Sequence, residues 1–154
     1  MIRSRSGMAL LGAMFALAVI GALVAGSFFA GRLEQQSGQN MFFATQAREA
    51  AESGLAAAVL DAAALDSLQA GGPPLDLGVA AVGETATVHT TVCRLTGRLF
   101  LLRARGLRLD AAGGSLATRT LGLFLRLDAG ESDTAAAPLP RVIRVAERAW
   151  VELN

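Results

Sequence analysis

The chain has 154 residues, of which 53% are hydrophobic, with 14 arginines balanced by 13 carboxylates and no lysine. A formal net charge of +1 leaves no global basic excess to draw nucleic acid and no acidic bias. The length allows one apolar helix and one modest domain, and the single cysteine, Cys93, excludes an intramolecular disulfide.

Met1–Gly7 reads MIRSRSG, and Arg3 and Arg5 are its only charges. Met8–Gly31 follows as MALLGAMFALAVIGALVAGSFFAG, with no charge, no proline and one hydroxyl, Ser27. At 1.5 Å per residue this stretch reaches about 36 Å, enough for a ~30 Å hydrocarbon core. The positive-inside tendency places the short basic segment in the cytoplasm and the rest of the chain across the membrane. A removable signal peptide would have a shorter apolar core and a small-x-small cleavage site. Leu23-Val24-Ala25 and Phe28-Phe29-Ala30 lack the paired small residues. Ala9, Ala13 and Ala16 with Gly12, and Ala22 with Gly26, offer surfaces for close helix approach. An ordinary Ala/Gly-rich span has the same spacing.

Arg32 and Glu34 mark the membrane exit, and Ser37-Gly38 is a candidate soft spot in the helix. Helical spacing resumes at Met41. Phe43, Ala47, Ala51, Leu55, Ala58, Ala62 and Leu65 recur every three or four residues and line one face, which Val59 flanks. This amphipathic half, residues 32–70, is expected to end near Gln69, because Gly71-Gly72-Pro73-Pro74 cannot continue it.

Residues 71–154 have β grammar. Thr85–Leu95 and Arg98–Leu109 read as strands, the second with a kink expected at Gly106. Asp110–Ser115 reads as a hairpin loop, and Leu116–Leu127 alternates as a third strand. Residues 128–140 (DAGESDTAAAPLP) read as an exposed loop and Arg141–Leu153 as one last strand, with Trp150 on its outer side. That tryptophan suits either a cap over the sheet edge or a partner contact. The fold class is therefore α+β: a long N-terminal helix, half transmembrane and half amphipathic, packed against a C-terminal antiparallel sheet.

No residue pattern supports catalysis, a metal, a cofactor or a small-molecule substrate. His89 is the only histidine and lies mid-strand. No P-loop, nucleophile elbow, dinucleotide fingerprint or Cys/His cluster is present. Arg103, Arg105 and Arg108 read as a solvated strand face, without the aromatic groups that single-strand binding needs. Cys93 reads as a half-buried structural thiol.

Two motifs carry a family resemblance. The junction RSRSG|MALLGAMFALAVIGAL resembles the class III leader of type IV pilin-like proteins. AREAAESGLAAAV (Ala47–Val59) is similar to the Ala-Ala-Glu run in the long helix of minor pilins of the PilX and MshP types and of type II secretion pseudopilins. The resemblance implies a leader of residues 1–7, cut between Gly7 and Met8 by a prepilin peptidase, with N-methylation of Met8. It implies a transmembrane half at 8–31, a helix-packing face of Phe43, Ala47, Ala51, Leu55 and Val59, and a single pass through the bacterial inner membrane. The C-terminal domain would be periplasmic and would enter a pilus on assembly. The implied partners are the membrane, other pilins and minor pilins, and the peptidase. Major pilins have glutamate at the fifth mature position, where this chain has Gly12. That departure points to a minor subunit of a type IV pilus. A type II secretion pseudopilin and a single-span anchored periplasmic binding module remain the alternatives.

Overall fold

The computed structural model describes residues 5–60, 65, 68–128, 141–145 and 150–153. Helix α1 is Arg5–Leu60, followed by strands β1 (Leu75–Val82), β2 (Ala86–Thr96), β3 (Leu99–Leu109), β4 (Ser115–Asp128), β5 (Arg141–Arg144) and β6 (Trp150–Leu153). The architecture is α+β, with the long helix packed against an antiparallel sheet. The chain forms two compact units, Met1–Gln39 and Asn40–Asn154.

Over residues 8–31 of the first unit α1 presents apolar side chains on every side, and among the described residues nothing buries them: Phe15 is 73% exposed and Phe28 75%. In the second unit the helix is one-sided. Ala47, Ala50, Ala51, Gly54, Leu55 and Ala58 are buried, whereas Arg48, Glu49 and Ser53 face out. Arg48 Nε donates to Glu52 Oε1 at 2.9 Å one turn on, an exposed pair contributing a few tenths of a kcal/mol.

The sheet runs β1-β2-β3-β4, and β5 and β6 both pair with β4. Strand alternation sorts its two faces. Val88, Thr90 and Val92 of β2 point toward the helix with Phe100, Leu102 and Ala104 of β3 and Leu121, Leu123, Leu125 and Leu127 of β4. The register aligns them in rows, Val92↔Leu102↔Leu123 and Thr90↔Ala104↔Leu121. Phe100, Leu55, Leu65, Leu102, Leu123 and Leu125 are the largest fully enclosed side chains of the core.

Several expectations are corrected. α1 runs through Ser37-Gly38 without a break. At its far end Leu68 and Gln69 are not helical. Leu68 N–H donates to the Leu65 carbonyl, and the Leu68 carbonyl accepts from Arg94 Nη1 at 2.8 Å, so the helix stops short of Gln69. β1 is a strand that residue patterning missed. Its LDLGVAAV sequence lacks clear alternation because six of its eight residues stay exposed, all but Leu77 and Val82, and the register slips at Gly78. Gly106 is not a kink: pairing runs unbroken through Val88↔Gly106↔Arg119, and the irregularities fall at Arg94/Thr96 and Arg108/Leu109. The last segment forms two short strands, β5 and β6, in place of one. Ala62, the loop at 129–140, Ala149 and the side chain of Trp150 lie outside the described residues.

Candidate functional site: an apolar helix and a glycine-alanine seam

Two surfaces of α1 do different work, one in each unit. In the first, Gly7 and Gly12 face open space and Met8 is 77% exposed. Ser27 Oγ donates to the Leu23 carbonyl at 3.0 Å. The only hydroxyl of Met8–Gly31 is thus satisfied inside the helix, as hydrocarbon requires of a polar group. The segment is one helix long and apolar enough to cross a membrane, and its most apolar window is wholly uncovered by protein.

In the second unit the helix meets the sheet through a seam of small residues. Ala47, Ala51 and Leu55 are completely buried, and Phe43 and Val59 are half-buried at its two ends. Two residues outside the sequence-derived face set the spacing. A Cβ on Gly106 of β3 would lie 2.0 Å from the Ala47 carbonyl oxygen and 2.7 Å from the Ala51 nitrogen. The helix backbone therefore rests directly on the β3 backbone. A Cβ on Gly54 would lie 2.5 Å from Val88 Cγ2 and 2.8 Å from Thr90 Oγ1, so over β2 the helix backbone sits directly on side chains of the strand. A glycine inside a strand signals a bulge, a bend or a close backbone approach; here it is the last.

Two arginines pin the two ends of the seam. Arg108 Nε donates to Gln46 Oε1, Nη1 donates to the Thr85 carbonyl at 2.9 Å and to the Leu109 carbonyl, and the guanidinium lies 5.8 Å from the centre of the Phe43 ring. Arg94 donates to the carbonyls of Gly97 and Leu68 and lies 5.4 Å from the centre of the Phe100 ring. Each combines charge-assisted hydrogen bonds with a cation–π contact. Arg108 was legible in the sequence only as one of a basic run. Its companions Arg103 and Arg105 point away from the helix into solvent.

Among the described residues the titratable side chains make local contacts. His89 Nε2 lies 2.8 Å from Asp76 Oδ1, which also accepts the Gly78 N–H at 2.8 Å. The Gly78 amide, then the His89 ring, holds the Asp76 carboxyl below its ordinary value. The Asp76 side chain is largely exposed and that of His89 partly so, and the pair sits at the β1 irregularity. Cys93 is half-buried, with Sγ 3.6 Å from the Leu101 carbonyl oxygen. Among the described residues no three His, Cys, Asp or Glu side chains converge as a metal site would require. No family model, curated protein or solved structure matches this chain.

Proposed function

We propose that this chain is a minor, pilin-like structural subunit of a type IV pilus. It inserts in a bacterial inner membrane through Met8–Gly31, is cut between Gly7 and Met8 by a prepilin peptidase, and joins the filament or its tip through α1. The observation that carries the reading is α1 itself. One stretch is apolar on all sides and uncovered. A later stretch of the same helix is buried along a small-residue face beneath an antiparallel sheet. An all-round apolar helix can lie in lipid and then in a bundle of similar helices without changing its own hydrogen bonds. Gly12, in the place of the glutamate of major pilins, supports a subunit present in small numbers. The experiment is mass spectrometry of the protein isolated from its native host. A mature chain beginning at N-methylated Met8 is expected; a chain retaining Arg3 and Arg5 overturns the reading.

A further inference from the structure

We propose that a groove along α1 holds one anionic phospholipid, with the phosphate on Arg32 and an acyl chain laid over the apolar residues before it. The groove runs from Leu23 to Gln35 and measures about 530 Å³. Residues four apart share a helix face. Leu23, Ser27, Gly31 and Gln35 therefore make one row along the helix, and Val24, Phe28 and Arg32 the next. Gly31 has nothing within 4 Å of a built Cβ, which keeps the space beside Phe28 open. The Ser27 hydroxyl is turned back onto the Leu23 carbonyl at 3.0 Å, so it asks nothing of an occupant. Leu23 to Gly31 covers about 12 Å at 1.5 Å per residue, most of one leaflet of a ~30 Å hydrocarbon core. Arg32 and Gln35 follow at the depth of the headgroups.

The charge at the mouth of the groove says what fits. Among the described residues Arg32 has no carboxylate partner. The positions three and four residues away, Phe28, Phe29, Gln35 and Gln36, are uncharged, and Glu34 is two residues on, where side chains diverge. An arginine at the rim of hydrocarbon lays its stem on apolar surface and turns its head to the interface. The anion that a bilayer offers at that depth is a lipid phosphate, which a guanidinium binds through charge-assisted hydrogen bonds. A zwitterionic headgroup carries its own cation beside the phosphate, which favours an anionic lipid.

A second copy of the helix fits this face poorly. Inserted the same way round, it brings its own Arg32 to the same depth. Two facing grooves then set the two guanidinium groups together while each Glu34 points away, and like-charge juxtaposition is costly. A lipid neutralises Arg32 and is present wherever the helix spans. Gly31 itself gives an acyl chain little to hold; Arg32 and the walls of Leu23, Val24 and Phe28 carry the contact. The inference rests on Met8–Gly31 spanning a membrane, and not on assembly into a filament.

The test reconstitutes the full chain in nanodiscs of equal parts phosphatidylglycerol and phosphatidylcholine with matched acyl chains. Native mass spectrometry counts the lipid that stays on the released protein. Phosphatidylglycerol is expected in excess, and Arg32→Gln should cut that excess about fivefold, the preference one arginine gives near an anionic surface. Arg5→Gln, the same loss of charge at the other end of the helix, should change it little. Gly31→Leu fills the groove and should lower retention of both lipids with the circular dichroism unchanged. Excess inorganic phosphate should leave the lipid bound, since a free anion cannot occupy the apolar part. In native membranes a photoreactive benzoyl group on the Phe28 ring should cross-link to lipid. Equal retention of the two lipids, equal effects of R32Q and R5Q, full retention by G31L, or displacement by phosphate overturns the proposal. So does a cross-link from Phe28 to a second copy or to another protein in place of lipid. A chain that stays out of the discs overturns the membrane span and this proposal together, whereas a chain that enters them without preference overturns this proposal alone.

Discussion

Replacing Gly106 with alanine tests the seam directly. The added carbon would sit 2.0 Å from the Ala47 carbonyl oxygen and 2.7 Å from the Ala51 nitrogen, against 3.4 Å or more in an ordinary contact. Both atoms belong to helix backbone, so no side chain can swing aside. The helix has to lift from β3 by more than 1 Å, judged from those distances. A radial gap of 0.5–1 Å already forfeits about a quarter to a half of each dispersion contact. The loss falls on Ala47, Ala51 and Leu55, all completely buried. Overpacking a core typically costs about 1–3 kcal/mol, and an immovable neighbour puts this site at or above ~3 kcal/mol. For a unit of this size the melting temperature should drop by roughly 10–20 °C. Gly38→Ala is the internal control, because nothing lies near its Cβ and the helix gains up to about 1 kcal/mol of propensity. The two variants should move thermal unfolding of the full chain in micelles in opposite directions, read by circular dichroism in the β region. A Gly106→Ala chain within about 1 kcal/mol of the parent would refute the direct backbone seating described above.

Other outcomes follow from the same structure. Arg108→Ala removes hydrogen bonds to Gln46, Thr85 and Leu109 together with the Phe43 contact, and should cost about 1–3 kcal/mol in urea unfolding; Arg108→Lys should recover less than half, because an ammonium cannot reproduce the planar fork. Gly54→Ala should destabilise despite a gain of about 1 kcal/mol in helix propensity, since Val88 is itself buried and a Cβ would lie 2.5 Å from its Cγ2. Because the folded Asp76 carboxyl titrates below its ordinary value, its contribution is fully present above the unfolded pKa of about 3.9 and disappears as pH falls through the lower folded value. Amide exchange near Gly78 should accordingly speed up relative to the rest of β1 as pH drops below about 4, after correction for intrinsic rates, and Asp76→Asn should flatten that dependence. Removing residues 8–31 should move the protein from the carbonate-resistant membrane pellet to the soluble fraction.

The architecture was legible where one physical pattern dominates. The apolar run of Met8–Gly31 and the three- and four-residue spacing from Phe43 to Leu55 each admit one structural reading. The three central strands were legible because β2, β3 and β4 bury one face and wet the other, which writes alternation into Thr, Val, Leu and Arg. β1 was not legible for the same reason in reverse: α1 leaves Ala80 exposed, so no alternation was needed there. The break between β5 and β6 was hidden because Ile143, Val145, Val151 and Leu153 all keep a strand-like period across it. Arg108 was unreadable as a clamp, because its partner Gln46 lies 62 residues away and no local pattern joins them.

Glycine shows most clearly what one dimension cannot encode. Gly12, Gly21, Gly26, Gly31 and Gly38 share helix α1 with Gly54, and nothing in the local sequence sets Gly54 apart from Gly12, Gly21 or Gly26, which also interrupt apolar or alanine-rich runs. The first five have nothing within 4 Å of a built Cβ, while Gly54 is pressed onto Val88 and Thr90. Only the last is fixed by the fold of this chain alone. For the others, the small surface is available to whatever surrounds the helix, and lipid gains little from close approach to a glycine. A neighbouring helix gains more, because glycine lets two backbones come together and adds van der Waals contact in an environment with no hydrophobic drive of its own. Alanine at Gly12, Gly21 or Gly26 should thus leave the unfolding of residues 40–154 unchanged. If a neighbouring helix packs there, the same substitutions should weaken whatever complex it forms with this chain, read as loss of co-purification from native membranes. Unchanged co-purification for all three would mean that these glycines face lipid and that the apolar helix is an anchor and nothing more.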